Sequence, residues 1–271
     1  MTFSIVARAG DGFGVAVASR FLAVGAAVPA ADVDGGALAT QAYANLAYRT
    51  QGLALLRTRV PAADAVAGLT AADPGRATRQ LGVVGRTGAG ATYTGGRCHD
   101  WAGGVSGDGY AIQGNILTGP EVVDAMRHAW LSTVDGVLSR RLLAALTAGD
   151  RAGGDRRGRQ SAALLVVRRA GGYGGTSDVE VDLRVDDHTD PVAELARLLD
   201  LHELYFGRPD PASLLDLTGE LADEVGERLA RLGYRGALAD ALTSWAGVEN
   251  LEERLVPGRI DPLVLGVLRE T

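Results

Sequence analysis

Lysine is missing from this chain altogether: its 27 basic residues are all arginine. That absence excludes phosphate binding through a Walker-A lysine, a pyridoxal Schiff base and any lysine general base, because each needs a primary amine on a long stem. Cysteine occurs once, at Cys98, so no internal disulfide can form and nothing argues for an oxidising compartment. No run approaches the ~18 apolar residues of a membrane helix, and the N-terminus lacks the basic segment and apolar core of a secretory leader. A membrane role is therefore not expected, and the cytoplasm is the expected compartment. Positive charge is also short. The net charge is −6, and residues 207–271 hold 12 acidic residues against 7 arginines, so no basic face is expected to bind nucleic acid.

What is present suits a globular protein. Hydrophobic residues make up 46% and charged residues 22% of 271 residues, enough for a large core. The chain opens with two alternating runs, 2–8 and 13–20, joined by Ala9-Gly10-Asp11-Gly12, which predicts a β-hairpin. A buried strand is expected at 36–42. Helices are expected at about 50–59 and 62–72, and strands at 81–84, 91–94 and 110–113. Thr118, with Glu121 three residues on, predicts a capping box that opens a helix running to about 132. A second helix at about 137–149 follows, then strands 161–167 and 179–185, then a helix led by Asp190-Pro191.

The order of strands, helix pair, strands, helix pair and strands excludes a doubly wound parallel sheet. It predicts an α+β layered architecture of two antiparallel sheets with helices outside. Phe206-Gly-Arg-Pro-Asp-Pro211 reads as a linker. The expected domains are 1–206 and a small helical module, 207–271, with helices near 217–232, 237–246 and 261–269.

The first strand pair is similar to mature N-terminal-nucleophile (Ntn) hydrolases such as proteasome β-subunits. In those, Thr begins a strand and a strand of the character of Gly14-Val-Ala-Val-Ala-Ser-Arg20 follows. A longer resemblance rests on residues 2–8, Ala39-Thr-Gln-Ala42, Arg79-Gln-Leu-Gly-Val-Val84, Gln113-Gly-Asn-Ile-Leu117, 154–163 and Asp186-Asp-His188. These resemble an uncharacterised bacterial family, a domain of unknown function, that is placed by fold among the Ntn hydrolases. Some members carry a C-terminal region named for peptidoglycan binding, which residues 228–234, 250–254 and 260–262 resemble. The resemblance implies a four-layer αββα sandwich and an amide hydrolase.

Candidate site residues follow from the residues themselves, with the resemblance adding weight to Thr2 and Asn115. Thr2 would be the nucleophile once Met1 is removed. Its freed α-amine, titrating near ~8, would take the hydroxyl proton. Arg20 would orient the site, and Asn115 would donate to an oxyanion. Gln41, Asn45, Arg159 and Gln160 would bind substrate, the arginine through its carboxylate-matching fork. The sequence departs from the proteasome pattern, since Ala18 stands where an acid is expected and no lysine exists. An enzyme acting on a small amide, a binding protein for cell-wall fragments and a structural homo-oligomer therefore all remain open, the last because Gly-rich strands allow close sheet contacts.

Other motifs fall away on geometry. Cys98 and His99 are adjacent on an expected strand and point to opposite faces. Asp186-Asp187-His188 has no accompanying His or Cys cluster to complete a metal site. Gly104-Val-Ser-Gly-Asp108 fails as a Gly-x-Ser-x-Gly elbow, and Gly10-x-Gly12-x-Gly14 lacks the helix a dinucleotide loop requires. No metal or cofactor is expected.

Overall fold

A computed structural model describes residues 2–271, so the expected removal of Met1 lies outside the described residues. Contacts between Cα atoms divide the chain into two units, Met1–Arg197 and Leu198–Thr271.

The first unit begins with the expected hairpin, β1 (Thr2–Ala9) and β2 (Gly12–Ser19), turned through Gly10 at φ 58°. The left-handed conformation at that position costs a glycine nothing. A single short turn of helix, α1 (Val24–Ala27), leads to β3 (Pro29–Asp32) and β4 (Gly36–Ala42). Helices α2 (Ala47–Arg57) and α3 (Ala62–Ala71) follow, then β5 (Arg79–Gly85), β6 (Ala91–Thr94), β7 (Gly103–Gly107) and β8 (Tyr110–Asn115). The helix pair α4 (Glu121–Ser132) and α5 (Leu138–Arg151) precedes β9 (Ser161–Val167), β10 (Val179–Val185) and α6 (Pro191–Phe206).

The strands form two antiparallel sheets. One has six strands in the order β10-β9-β2-β1-β8-β7 and the other four in the order β3-β4-β5-β6. β1 lies at the centre of the larger sheet and touches β4 and β5 of the smaller one. Alternation along β1 and β2 sends Val6, Val15 and Val17 toward the other sheet, where they form a buried cluster with Ala37, Ala39 and Val84. The outer face of the four-stranded sheet is covered by α2 and α3 through Leu38, Leu56, Val66, Leu69 and Leu81. The opposite face of the six-stranded sheet carries α4 and α5. Their expected apolar faces are the ones buried: Val122, Val123, Met126 and Trp130 on α4, and Leu138, Leu142, Leu143 and Leu146 on α5. Each such side chain contributes roughly 1.5–3 kcal/mol by leaving water.

Three local expectations are corrected. Helix α4 starts at Glu121 behind Pro120 with no side-chain cap, so the Thr118–Glu121 capping box does not form. The Thr118 amide instead donates to the Gly154 carbonyl. Strands β3 and β7 were not foreseen, because Pro-Ala-Ala-Asp and Gly-Gly-Val-Ser-Gly lack any alternation of apolar and polar residues. The Gly/Pro segment after Phe206 does not mark the division between units, which falls inside α6, and Leu204 and Tyr205 already pack on the second core.

The second unit contains α7 (Gly219–Arg231), α8 (Leu238–Val248) and α9 (Pro262–Glu270), with a small ribbon of β11 (Leu215–Asp216) and β12 (Arg259–Ile260). Val225, Leu229, Leu242, Trp245, Leu265 and Leu268 make its core. Asp261 caps α9 by accepting from the Leu263 amide and also holds the buried Arg254 guanidinium at 2.6 Å.

Candidate functional site

The register of the two sheets gathers the polar residues of the first unit at one place. Thr2 pairs with Asn115 and Ser4 with Gln113 across β1 and β8. Gln41 pairs with Gln80 across β4 and β5, and Gln80 with Thr94 across β5 and β6. Alternation points Thr2 and Ser4 toward the smaller sheet, so these side chains meet between the sheets.

Thr2 is only 5% exposed, and its hydroxyl lies 3.1 Å from the Ser19 hydroxyl. Its carbonyl accepts from Gln41 Nε2 at 3.2 Å and Asn115 Nδ2 at 3.4 Å. Both amides also donate to Gln80 Oε1, each at 2.8 Å. Gln80 is held in turn by donating to Thr94 Oγ1 and to the Gly103 and Gly114 carbonyls. Gln113 Nε2 donates to Ser4 Oγ, which donates to Gln41 Oε1. The side chains of Ser4, Gln41, Gln80, Gln113 and Asn115 are buried, and two of these amides converge on the first strand residue. Buried amides so bonded are rigid, since freeing any one leaves polar atoms without water. Gln113 Oε1 alone has no partner. It sits where a side chain at position 82 would begin: a Cβ on Gly82 would come within 2.0 Å of it, so glycine is required there.

Chain direction is set just after these residues. Ala42 and Ile116 follow Gln41 and Asn115 directly and adopt φ 65° and 51°. A β-branched residue in the left-handed region costs roughly 1–3 kcal/mol and persists only where neighbours fix it. Ile116 is fixed by its amide donating to the His99 carbonyl and its carbonyl accepting from the Arg156 amide.

A second cluster adjoins the first through Ser19. Asp155 is buried and accepts from the Arg20 amide at 2.8 Å and from the Arg157 amide and guanidinium. Arg20 thus serves this cluster with its backbone, while its guanidinium reaches the Arg157 carbonyl at 2.9 Å. Arg159 makes a two-pronged pair with Asp150, both bonds 2.8 Å, and that carboxylate holds the guanidinium above its ordinary pKa. A cavity of about 380 Å³ opens here, lined by Phe3, Ala18, Ser19, Asp150, Asp155 and Arg159 among others. Phe3 and Ala18 are register partners on the opposite face of their strands from Thr2, so Ser19 both touches Thr2 and borders the cavity.

The residues named from sequence therefore separate. Thr2, Gln41 and Asn115 come together. Arg159 lines the neighbouring cavity, and Arg20 bonds Asp155 beside it. Gln160 bonds exposed Asp187 at 3.1 Å. Asn45 belongs elsewhere: it donates to Asp73 at 3.1 Å and accepts from the Ala47 amide at the start of α2. Asp73 also accepts from Arg79, Tyr48 and the Gly75 amide. The Arg79 bond, seconded by Tyr48, holds its carboxyl well below the usual range, while burial and Asp73 push the Tyr48 phenol up. Cys98 donates to the Arg79 carbonyl, and burial raises its thiol pKa, so it is no reactive thiolate.

Sequence reasoning missed Gln80 and Asp155. Both lie in stretches already noted, but only strand register identifies Gln80 as the hub, and only tertiary contact buries Asp155.

A model described as a family of unknown function, DUF1028, matches residues 2–195. The chain belongs to the DUF1028 family. Residues 205–268 of this DUF1028 protein match a second model, described as a "putative peptidoglycan binding domain". A crystal structure of a DUF1028 protein from Silicibacter pomeroyi is similar, with 32% identity and a TM-score of 0.67 over 82% of this chain and 92% of that one. No curated protein matches the chain.

Proposed function

We propose that the first unit is an amide hydrolase of the Ntn type, and that its two sheets and flanking helices form the four-layer αββα sandwich of that class. The observation that carries this reading is the placement of Thr2. It heads the central strand, its hydroxyl meets Ser19, and buried Gln41 and Asn115 grip its carbonyl. Rigid support of this kind is what a reacting group requires. Thr2 Oγ attacks the amide carbon while the α-amine, free once Met1 is gone, takes the hydroxyl proton. The amine then protonates the leaving nitrogen, and water hydrolyses the threonyl ester. Asn115 acts by positioning Thr2, since the contacts of its amide nitrogen are already taken up by the Thr2 carbonyl and Gln80. A small amide is the substrate this chemistry takes, reached past Ser19, which touches Thr2 and borders the neighbouring cavity.

A β-lactone, which acylates activated threonine hydroxyls, tests the reading. Wild type and Thr2→Ser are expected to form one adduct on residue 2, and Thr2→Ala none. Equal adduct formation by Thr2→Ala overturns it.

A second reading concerns the second unit. Its match to a peptidoglycan-binding model supports a partner drawn from cell-wall fragments.

A further inference from the structure

The second unit carries a groove beside its core. It has a volume of about 570 Å³, within the range of small-ligand sites, and runs between α7 and the segment leading into α8. Its walls hold Asp223, Glu227, Tyr234 and Arg235, with Gly226 and Leu238 between them. Asp223 and Glu227 stand one turn apart on α7 and present a single acidic edge. Among the described residues, the side chains of Asp223, Tyr234 and Arg235 make no hydrogen bond or ion pair. Glu227 reaches only exposed Arg231, at 3.4 Å. The groove therefore offers an acidic edge, a cationic group and a half-buried phenol hydroxyl, most of them uncommitted.

Gly226 is the second observation. It sits in the interior of α7, where glycine is among the least favoured residues. Packing does not demand it, since an added Cβ would meet only Leu238 Cδ1, at 3.8 Å. Its φ is not left-handed either, so any residue could adopt the conformation. What the missing side chain does is keep the groove open.

We infer that this groove is the seat of a peptidoglycan stem peptide, the ammonium of its diamino acid on Asp223 and Glu227 and a carboxylate on Arg235. This rests on the cell-wall reading of the second unit. Of the components of peptidoglycan, the glycan is rich in hydroxyls and the stem peptide is the one that carries ammonium and carboxylate groups together. That combination complements opposite charges set on the two walls of the groove.

The test uses the full chain with purified sacculi and with a soluble stem tripeptide ending in a diamino acid. Gly226→Leu fills the groove, and Arg235→Glu reverses one contact. Gly247→Leu, on α8 away from the groove with open space around it, is the control for helix propensity. Hydrogen exchange on the α8 and α9 amides reports folding of the second unit in all variants. The expected result is at least tenfold weaker binding of both probes by Gly226→Leu and Arg235→Glu, with Gly247→Leu unchanged. Wild-type binding that both groove variants retain overturns the groove while leaving the cell-wall reading standing. Absence of wild-type binding to sacculi and peptide overturns both.

Discussion

Replacing Gln80 with Leu removes the hub of the buried network and nothing else of similar size. Gln80 accepts from Gln41 and Asn115, each at 2.8 Å, and donates to Thr94 Oγ1 at 2.9 Å, Gly114 O at 2.7 Å and Gly103 O at 3.2 Å. A buried hydrogen bond is worth about 0.5–1.5 kcal/mol net, and an abandoned partner costs about 1–3 kcal/mol. After the substitution, Asn115 Nδ2 keeps only its longer bond to Thr2, in a position buried from water. The leucine recovers part of this through its apolar surface. The expected loss is about 3–5 kcal/mol, concentrated where β1, β4 and β5 meet. Native-state hydrogen exchange on β1 and β5 amides reads that loss locally, without requiring both units to unfold together. Gln160→Leu is the comparison: its side chain bonds exposed Asp187, so its effect should stay within about 0.5 kcal/mol. A Gln80→Leu loss below about 1 kcal/mol would refute the claim that the network is closed to water and supports Thr2.

Other consequences follow from the same contacts. Asp73→Asn should cost about 1–3 kcal/mol at pH 7, because hydrogen bonds to a charged acceptor from Arg79, Tyr48, Asn45 and the Gly75 amide weaken together. The folded carboxyl lies below its ordinary pKa, so its stabilisation is present above about pH 4 and is lost as pH falls through the folded value. Denaturation midpoints of wild type and variant should keep a constant gap from pH 8 to 5 and converge in stronger acid; a gap that widens in acid contradicts the assignment. In the second unit, Arg254→Met strands the buried Asp261 carboxylate and frees the Glu203 and Leu204 carbonyls, for a loss of about 3–5 kcal/mol read by native-state hydrogen exchange on the α8 and α9 amides.

Much of the fold is legible in the residues, because most elements advertise their period. The 161–167 and 179–185 runs are strands to the residue, and the apolar faces of α4 and α5 are the buried ones. β7 is not legible, since a Gly-Gly-Val-Ser-Gly strand takes its conformation from pairing with β8. The capping box at Thr118 fails because Pro120 and the Gly154 contact set the chain's entry into α4. The candidate site divides the same way. Thr2, Gln41 and Asn115 stand out as polar residues at the ends of apolar strands, and the register brings them together. Asn45 carries the same signal but turns toward Asp73, because Ala42 adopts a left-handed conformation between it and Gln41. Gln80 is silent in sequence: a glutamine inside a strand looks solvent-facing until its partners on both sides are known.

Catalysis through the Thr2 amine requires Thr2 to be the first residue of the working protein. Intact-mass measurement of the purified full chain decides this before any substrate is known. A mass corresponding to a chain that begins at Thr2 is the result predicted here, with the α-amine free beside the Ser19-bonded hydroxyl. A chain that retains Met1 has no free amine at Thr2 to take the proton, and that mass would contradict the proposed mechanism.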